Sequence, residues 1–192
     1  MRESPAPIPM VIVALDQREI RREGARLEEI ERAVFPDGPW TLANFLLLLP
    51  FKFELSVVAE KWLRREERRD VLGYIVAHGR YEQIHVSRVA VHPRFQRRHV
   101  FRGMFWAFLA HCWYAHQVRP ITIQVDADNA AALHAYAGVR FEKLTGADLD
   151  LYLRAHDPSA RREGDAFLDS ETGRLALALV RGSTADSWVS GI

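Results

Sequence analysis

The chain is poor in cysteine. Its one thiol, Cys112 of 192 residues, excludes an intramolecular disulfide. Cys112 falls within a helical apolar stripe, where a buried inert thiol is expected, and a reducing cytoplasm is the expected compartment. Long apolar runs are missing too. The longest, Phe45 to Phe51, is interrupted by Pro50 and is far too short to span a bilayer, so no membrane is expected as a partner. The leading MRESPAPIP lacks the apolar core of a signal peptide. Neither sign of charge dominates. The 26 Lys and Arg stand against 25 Asp and Glu, for a net charge of +1, so nothing pulls the whole molecule toward nucleic acid or lipid. RREERRD (Arg64–Asp70) mixes acids into its bases, which argues against tracking a phosphate backbone. A Cys/His cluster is also missing. His111 and His116 lack the i, i+4 spacing of a helical zinc site, and the regularly spaced His78, His85, His92 and His99 are separated by strand, turn and Pro93. No metal is expected. Walker, Rossmann and nucleophile-elbow patterns do not occur.

What is present is a globular composition, 48% hydrophobic and 27% charged. It predicts one domain over 10–181, preceded by a flexible lead at 1–9 and followed by a loose tail at 182–192. Met10–Leu15 reads as a short buried strand. Asp16 caps an amphipathic helix with Ile20, Leu27, Ile30, Ala33 and Val34 on one stripe and Gly24 as a break. Dense turn chemistry follows at Phe35–Pro39, and Thr41 caps a second helix carrying Leu42, Phe45 and Leu46.

Leu55–Trp62, Val71–His78 and Gln83–Val91 read as strands, with RREERRD as a hairpin loop. Gly73 marks a bulge or a close backbone approach. A helix over Val100–Gln117 leads to a strand at Ile121–Val125. A short helix at Asn129–Tyr136 ends near Gly138. Phe141 opens another strand region, a polar loop covers about Asp157–Thr172, and Arg174–Arg181 is the last strand. Strand, helix, strand over 86–125 implies a right-handed parallel crossover. The hairpins over 55–91 imply antiparallel pairing. Together they predict a single-domain α/β fold with a mixed, mostly antiparallel sheet flanked by helices.

Function is most legible between Ser87 and Phe105. A β-branched run ends at His92-Pro93, a basic turn holds Arg94, Gln96, Arg97 and Arg98, and an amphipathic helix follows with Phe101, Met104, Phe105, Phe108, Leu109 and Cys112. A helix's first turn has unpaired N–H groups and a partial positive charge, which suit a pyrophosphate.

Val91-His92-Pro93 followed by Gln96-Arg97-Arg98-His99-Val100-Phe101 resembles the acyl-CoA segment of the GNAT superfamily of N-acetyltransferases. Two glycine positions of that pattern are filled here by His99 and Phe101. Phe101 either packs in the core with Phe105 and Phe108 or, with His99, narrows the phosphate site. A second match, Asn129, Ala132, Leu133, Tyr136 and Phe141, falls at the family's spacings, with Arg140 where the family has glycine. Phe35-Pro36 through Trp40 is similar to the substrate-side loop of the ribosomal-protein alanine acetyltransferase branch.

The resemblance implies acetyl-CoA as cosubstrate, an amine acceptor (a peptide N-terminus or a small molecule) and direct attack. It implies a cofactor set of Val89, Val91, Gln96, Arg97, Arg98, His99, Val100, Phe101, Arg102 and Asn129, with backbone groups of the two valines facing pantetheine and carbonyl. It makes Tyr136 the general acid, since a phenol is protonated at neutral pH and can donate to a thiolate. The base stays open. Gln124 occupies the position of the branch's usual Glu and cannot accept a proton; His85 and Asp126 are the other candidates. The rival expectation is a non-catalytic protein of the same fold that has lost or weakened CoA binding. A nucleic-acid accessory is a fainter third, and a homodimer is left open.

Overall fold

A computed structural model describes residues 8–63, 68–80, 83–116, 120–144, 162–163, 166–167 and 174–179. The expected mixed α/β fold is found: helices flank a sheet whose registered strand pairs run antiparallel. Two compact units divide the chain, one of residues 1–79 and 86–118, the other of residues 80–85 and 119–192.

The first unit orders its strands β1 (Val11–Ala14), β2 (Val57–Leu63), β3 (Arg68–Arg80) and β4 (Gln83–Val91, whose first three residues count with the second unit). Its helices are α1 (Gln17–Val34), α2 (Leu42–Leu46), the short α3 (Lys52–Leu55) and α4 (Val100–His116). The Asp16 carboxylate caps α1 by accepting the Glu19 N–H at 2.7 Å, which satisfies one of the four unpaired donors at a helix start. Ile20, Leu27 and Ile30 bury one α1 face against Val58, Tyr74, Val76 and Ala90 of the sheet. Val71–Gly79 is buried throughout. A strand covered on both faces reads as a continuous apolar run rather than an alternating one.

Four expectations are corrected here. Val11 is well exposed and β1 is only partly covered, pairing with β2 at the sheet's edge; it is not a buried strand. Gly24 does not break α1. The helix runs through it, and a Cβ there would stand 2.9 Å from Leu42 Cδ1, so Gly24 lets α2 approach. Leu55 ends α3 rather than starting a strand, and Arg68–Asp70 belong to β3 rather than to a loop. Ile8 is buried. Gly73 answers both readings made of it. The β2–β3 register slips at Ala59/Glu60 opposite it, and a Cβ on it would meet the Ala90 carbonyl oxygen at 2.4 Å.

Charge is also buried in this unit. The carboxylates of Glu19, Glu23 and Glu60 lie within 4.8 Å of one another. Arg22 donates to all three, Arg26 to Glu23, and Arg69 to Glu60. Burial, and then the hydrogen bond to Glu60, push the Glu19 carboxyl up to about 7.

The second unit orders β5 (Ile121–Asp126), β9 (Arg174–Leu179) and β6 (Phe141–Lys143), with Ile121 and Phe141 both opposite Leu179. Between β5 and β6 lies α5 (Ala130–Ala137). The Ile84 N–H donates to the Pro120 carbonyl at 2.9 Å. Inside the expected polar loop a small hairpin forms, β7 (Arg162–Glu163) with β8 (Ala166–Phe167). The tail at 182–192 and most of the lead lie outside the described residues.

Candidate active site

β4 ends at Val91, and the chain reverses through a short 3-10 turn at Pro93–Phe95. Side chains shape this reversal. His92 Nδ1 accepts the Arg94 N–H at 3.2 Å, and Gln96 Nε2 donates to the Val91 carbonyl at 3.1 Å. Gln96 thus ties the turn back to the strand end. Arg97 (φ 60°) and His99 (φ 61°) then adopt left-handed backbone. The helical ladder starts with the Gly103 N–H on the His99 carbonyl at 3.0 Å. Among the described residues, none accepts a hydrogen bond from the main-chain N–H of Arg97, Arg98, His99 or Val100. Arg94, Arg97, Arg98 and Arg102 are exposed around them, and four guanidinium groups make the turn a local focus of positive potential.

The two substituted glycine positions differ. His99 holds the conformation that glycine adopts without cost, while its side chain stays exposed. Phe101 sits within α4, half-buried, with its ring stacked on Phe105 at 5.8 Å. Of the readings offered for Phe101, the packing one fits this geometry. Val100, Met104, Phe105, Phe108 and Cys112 are buried beneath it, and burial raises the Cys112 thiol to about 12, as an inert thiol requires. Val89 and Val91 are half-buried on β4.

The other named residues lie in the second unit. His85 Nδ1 is 3.2 Å from the Thr122 hydroxyl. Gln124 is half-exposed on β5, opposite Ala176 of β9. Asp126 is exposed at the strand end. The Asn129 carboxamide oxygen accepts the Ala132 N–H at 3.1 Å, so its side chain caps α5. Tyr136 is buried near the end of α5 with its ring 5.7 Å from Phe141, and burial pushes its hydroxyl up to about 12. Arg140 (φ 66°) makes the left-handed turn into β6, at the glycine position of the second motif.

A family model described as Acetyltransferase (GNAT) family matches residues 25–139. This chain is a GNAT acetyltransferase family member. Acyl transfer is that family's chemistry. No curated protein matches the chain. Solved GNAT-fold structures match nearly its whole length. The ribosomal-protein-S18-alanine N-acetyltransferase from Escherichia coli superposes with a TM-score of 0.62 at 15% identity, over 92% of this chain and 98% of that one. The NatC complex bound to Gag peptide and CoA gives 0.65 at 15% identity, over 91% and 100%. Diaminobutyrate acetyltransferase from Paenibacillus lautus, with L-2,4-diaminobutyric acid and coenzyme A, gives 0.59 at 18% identity, over 90% and 95%. No helix among the described residues is long and apolar enough to cross a membrane.

Reading the sequence missed the polar set of buried Glu31 and Tyr74 with half-buried Arg88, as it missed the Glu19, Glu23 and Glu60 cluster. Its signal was faint. Arg88 interrupts an apolar strand, and Glu31 directly follows Ile30 of the buried stripe.

Proposed function

We propose that this protein transfers an acetyl group from acetyl-CoA to the amine of a peptide or small molecule by direct attack. One observation carries the reading. The turn at 97–100 keeps left-handed backbone at a glycine position of the motif, and its N–H groups have no acceptor among the described residues. Those donors, with the surrounding arginines, suit a diphosphate ester. Acetyl-CoA brings an activated thioester carbonyl. The chain's residues bind, orient and move protons. Arg97, Arg98 and Arg102 supply charge, and main-chain groups at Val89 and Val91 are assigned to the pantetheine and carbonyl. Tyr136 is the proton donor: raised to about 12, its phenol keeps its proton across neutral pH and is available to the leaving thiolate, a transfer that runs uphill to a thiol of pKa about 8.5 and is completed when solvent returns a proton to the phenolate.

His85 and Asp126 are the candidate bases, since Gln124 cannot take a proton. His85→Gln should lower turnover and leave acetyl-CoA affinity nearly unchanged. The compartment proposed is the cytoplasm.

Calorimetric titration with acetyl-CoA and with CoA tests the reading, and saturable binding should raise the melting temperature by mass action. An N-terminal-alanine peptide and 2,4-diaminobutyrate, the classes named for two structural neighbours, are the first acceptors to try. Tyr136→Phe should lower turnover and leave acetyl-CoA affinity nearly unchanged; equal losses in both count against the acid role. Gln124 favours the second reading, a non-catalytic member of the fold, whose mark is absent turnover together with weak or absent acetyl-CoA binding.

A further inference from the structure

Resting on the transferase reading, we infer that Glu31, Arg88 and Tyr74 form a clamp, centred on the buried Glu31 carboxylate, that positions the Phe35–Trp40 segment for acceptor binding. Glu31, in the last turn of α1, is fully buried. Its carboxylate accepts from Arg88 Nε at 3.1 Å and Nη2 at 2.7 Å, from the Trp40 N–H at 2.7 Å and from the Tyr74 hydroxyl. Arg88 also donates to the Gly38 carbonyl at 2.8 Å, and its guanidinium lies 3.6 Å from the Phe35 ring centroid. One carboxylate thereby joins α1, β3, β4 and the Phe35–Trp40 segment.

The chemistry suits positioning. A planar guanidinium on a carboxylate fixes angle as well as distance, which apolar contacts do not. Trp40 and Gly38 are held through main-chain groups, so the clamp sets the path of the backbone whatever the side chains do. Arg88 directly precedes Val89, the strand position assigned to the acyl carbonyl. The same residue therefore links the acceptor-side segment to the strand where the reaction is assigned. Glu31, Arg88 and Tyr74 act through their neighbours and are positioning residues.

The deciding comparison uses Arg88→Lys, which keeps the charge and loses the fork, and a Glu31→Met/Arg88→Met pair. Replacing both members of a buried ion pair by apolar groups often preserves stability. In Arg88→Lys, amide exchange over residues 36–42 should rise about tenfold, while β3 and α4 keep wild-type protection. Its KM for the alanine peptide or 2,4-diaminobutyrate, whichever turns over, should rise about tenfold, with acetyl-CoA affinity within about twofold of wild type. The Met pair combined with Tyr74→Phe, which leaves no buried hydroxyl without its acceptor, should hold the melting temperature near that of the wild type and still show the raised acceptor KM. An evenly distributed rise in exchange, or an acceptor KM that recovers with stability in that combined variant, overturns the clamp. Should the wild type bind no acetyl-CoA, the transferase reading falls, and exchange over residues 36–42 alone decides whether the clamp exists.

Discussion

At the scale of single residues, the backbone keeps glycine's habits where the side chains do not. His99 and Arg140 each occupy a glycine position, one in each of the two motifs, at φ 61° and 66°. Left-handed backbone costs an ordinary L-residue about 1–2 kcal/mol. His99→Gly and Arg140→Gly should each raise stability by about 0.5–1 kcal/mol, the relief of strain exceeding the entropy glycine adds to the unfolded chain. Phe101→Gly should do the reverse. It puts glycine inside a helix and removes a ring stacked at 5.8 Å on Phe105, a loss of about 3 kcal/mol or more. Denaturant melts of the three variants check this, and a stabilised Phe101→Gly would put the helix start in the wrong register. Sequence shows that a glycine is missing but not whether its dihedral angles are. The two substitutions looked alike as letters and differ as conformations.

Elements were legible where periodicity or capping defines them. Helix α1 with its Asp16 cap, α4 with its Met104, Phe105 and Phe108 stripe, and strands β3 to β5 follow the apolar pattern closely. The misses share a cause, since each depends on a partner distant in sequence. Gly24 could not reveal Leu42 across from it, and the edge exposure of β1 depends on which strands pair. The candidate site divides in the same way. Its turn is local and could be read from Val91 to Phe101, whereas the Glu31–Arg88 contact spans 57 positions and left no pattern. Gly73 sharpens the point into a prediction. A methyl there would stand 2.4 Å from the Ala90 carbonyl oxygen and 3.1 Å from Val91 Cα. Both are backbone atoms, so β3 and β4 must part. Gly73→Ala should cost about 2–3 kcal/mol. It should also weaken acetyl-CoA binding more than an equally destabilising change distant from β4, such as a truncation at Leu27. Equal weakening by both, measured calorimetrically, would detach the strand contact from the site.

At the scale of the whole molecule, two buried ionisable groups pull stability in opposite directions across neutral pH. Burial and the hydrogen bond to Glu60 raise Glu19 from 4.5 to about 7. The folded state therefore holds a proton that the unfolded chain has released, and stability falls as pH rises from 4.5 to 7. Lys52 behaves in the opposite sense. Its amine is buried, donates to the Asn44 and Leu47 carbonyls, and lies 5.9 Å from the Trp40 ring, yet desolvation lowers it from 10.5 to about 8. Between 8 and 10.5 the unfolded chain binds the extra proton, so stability rises with pH. The two terms together predict a trough between about pH 7 and 8, where many proteins are most stable. Thermal melts across the range should show the dip. Glu19→Gln should flatten its acidic wall and Lys52→Met its alkaline wall, each leaving the other in place. A smooth maximum through pH 7.5, unchanged by either substitution, would mean that Glu19 is fully ionised against Arg22 and that Lys52 stays charged beneath Trp40.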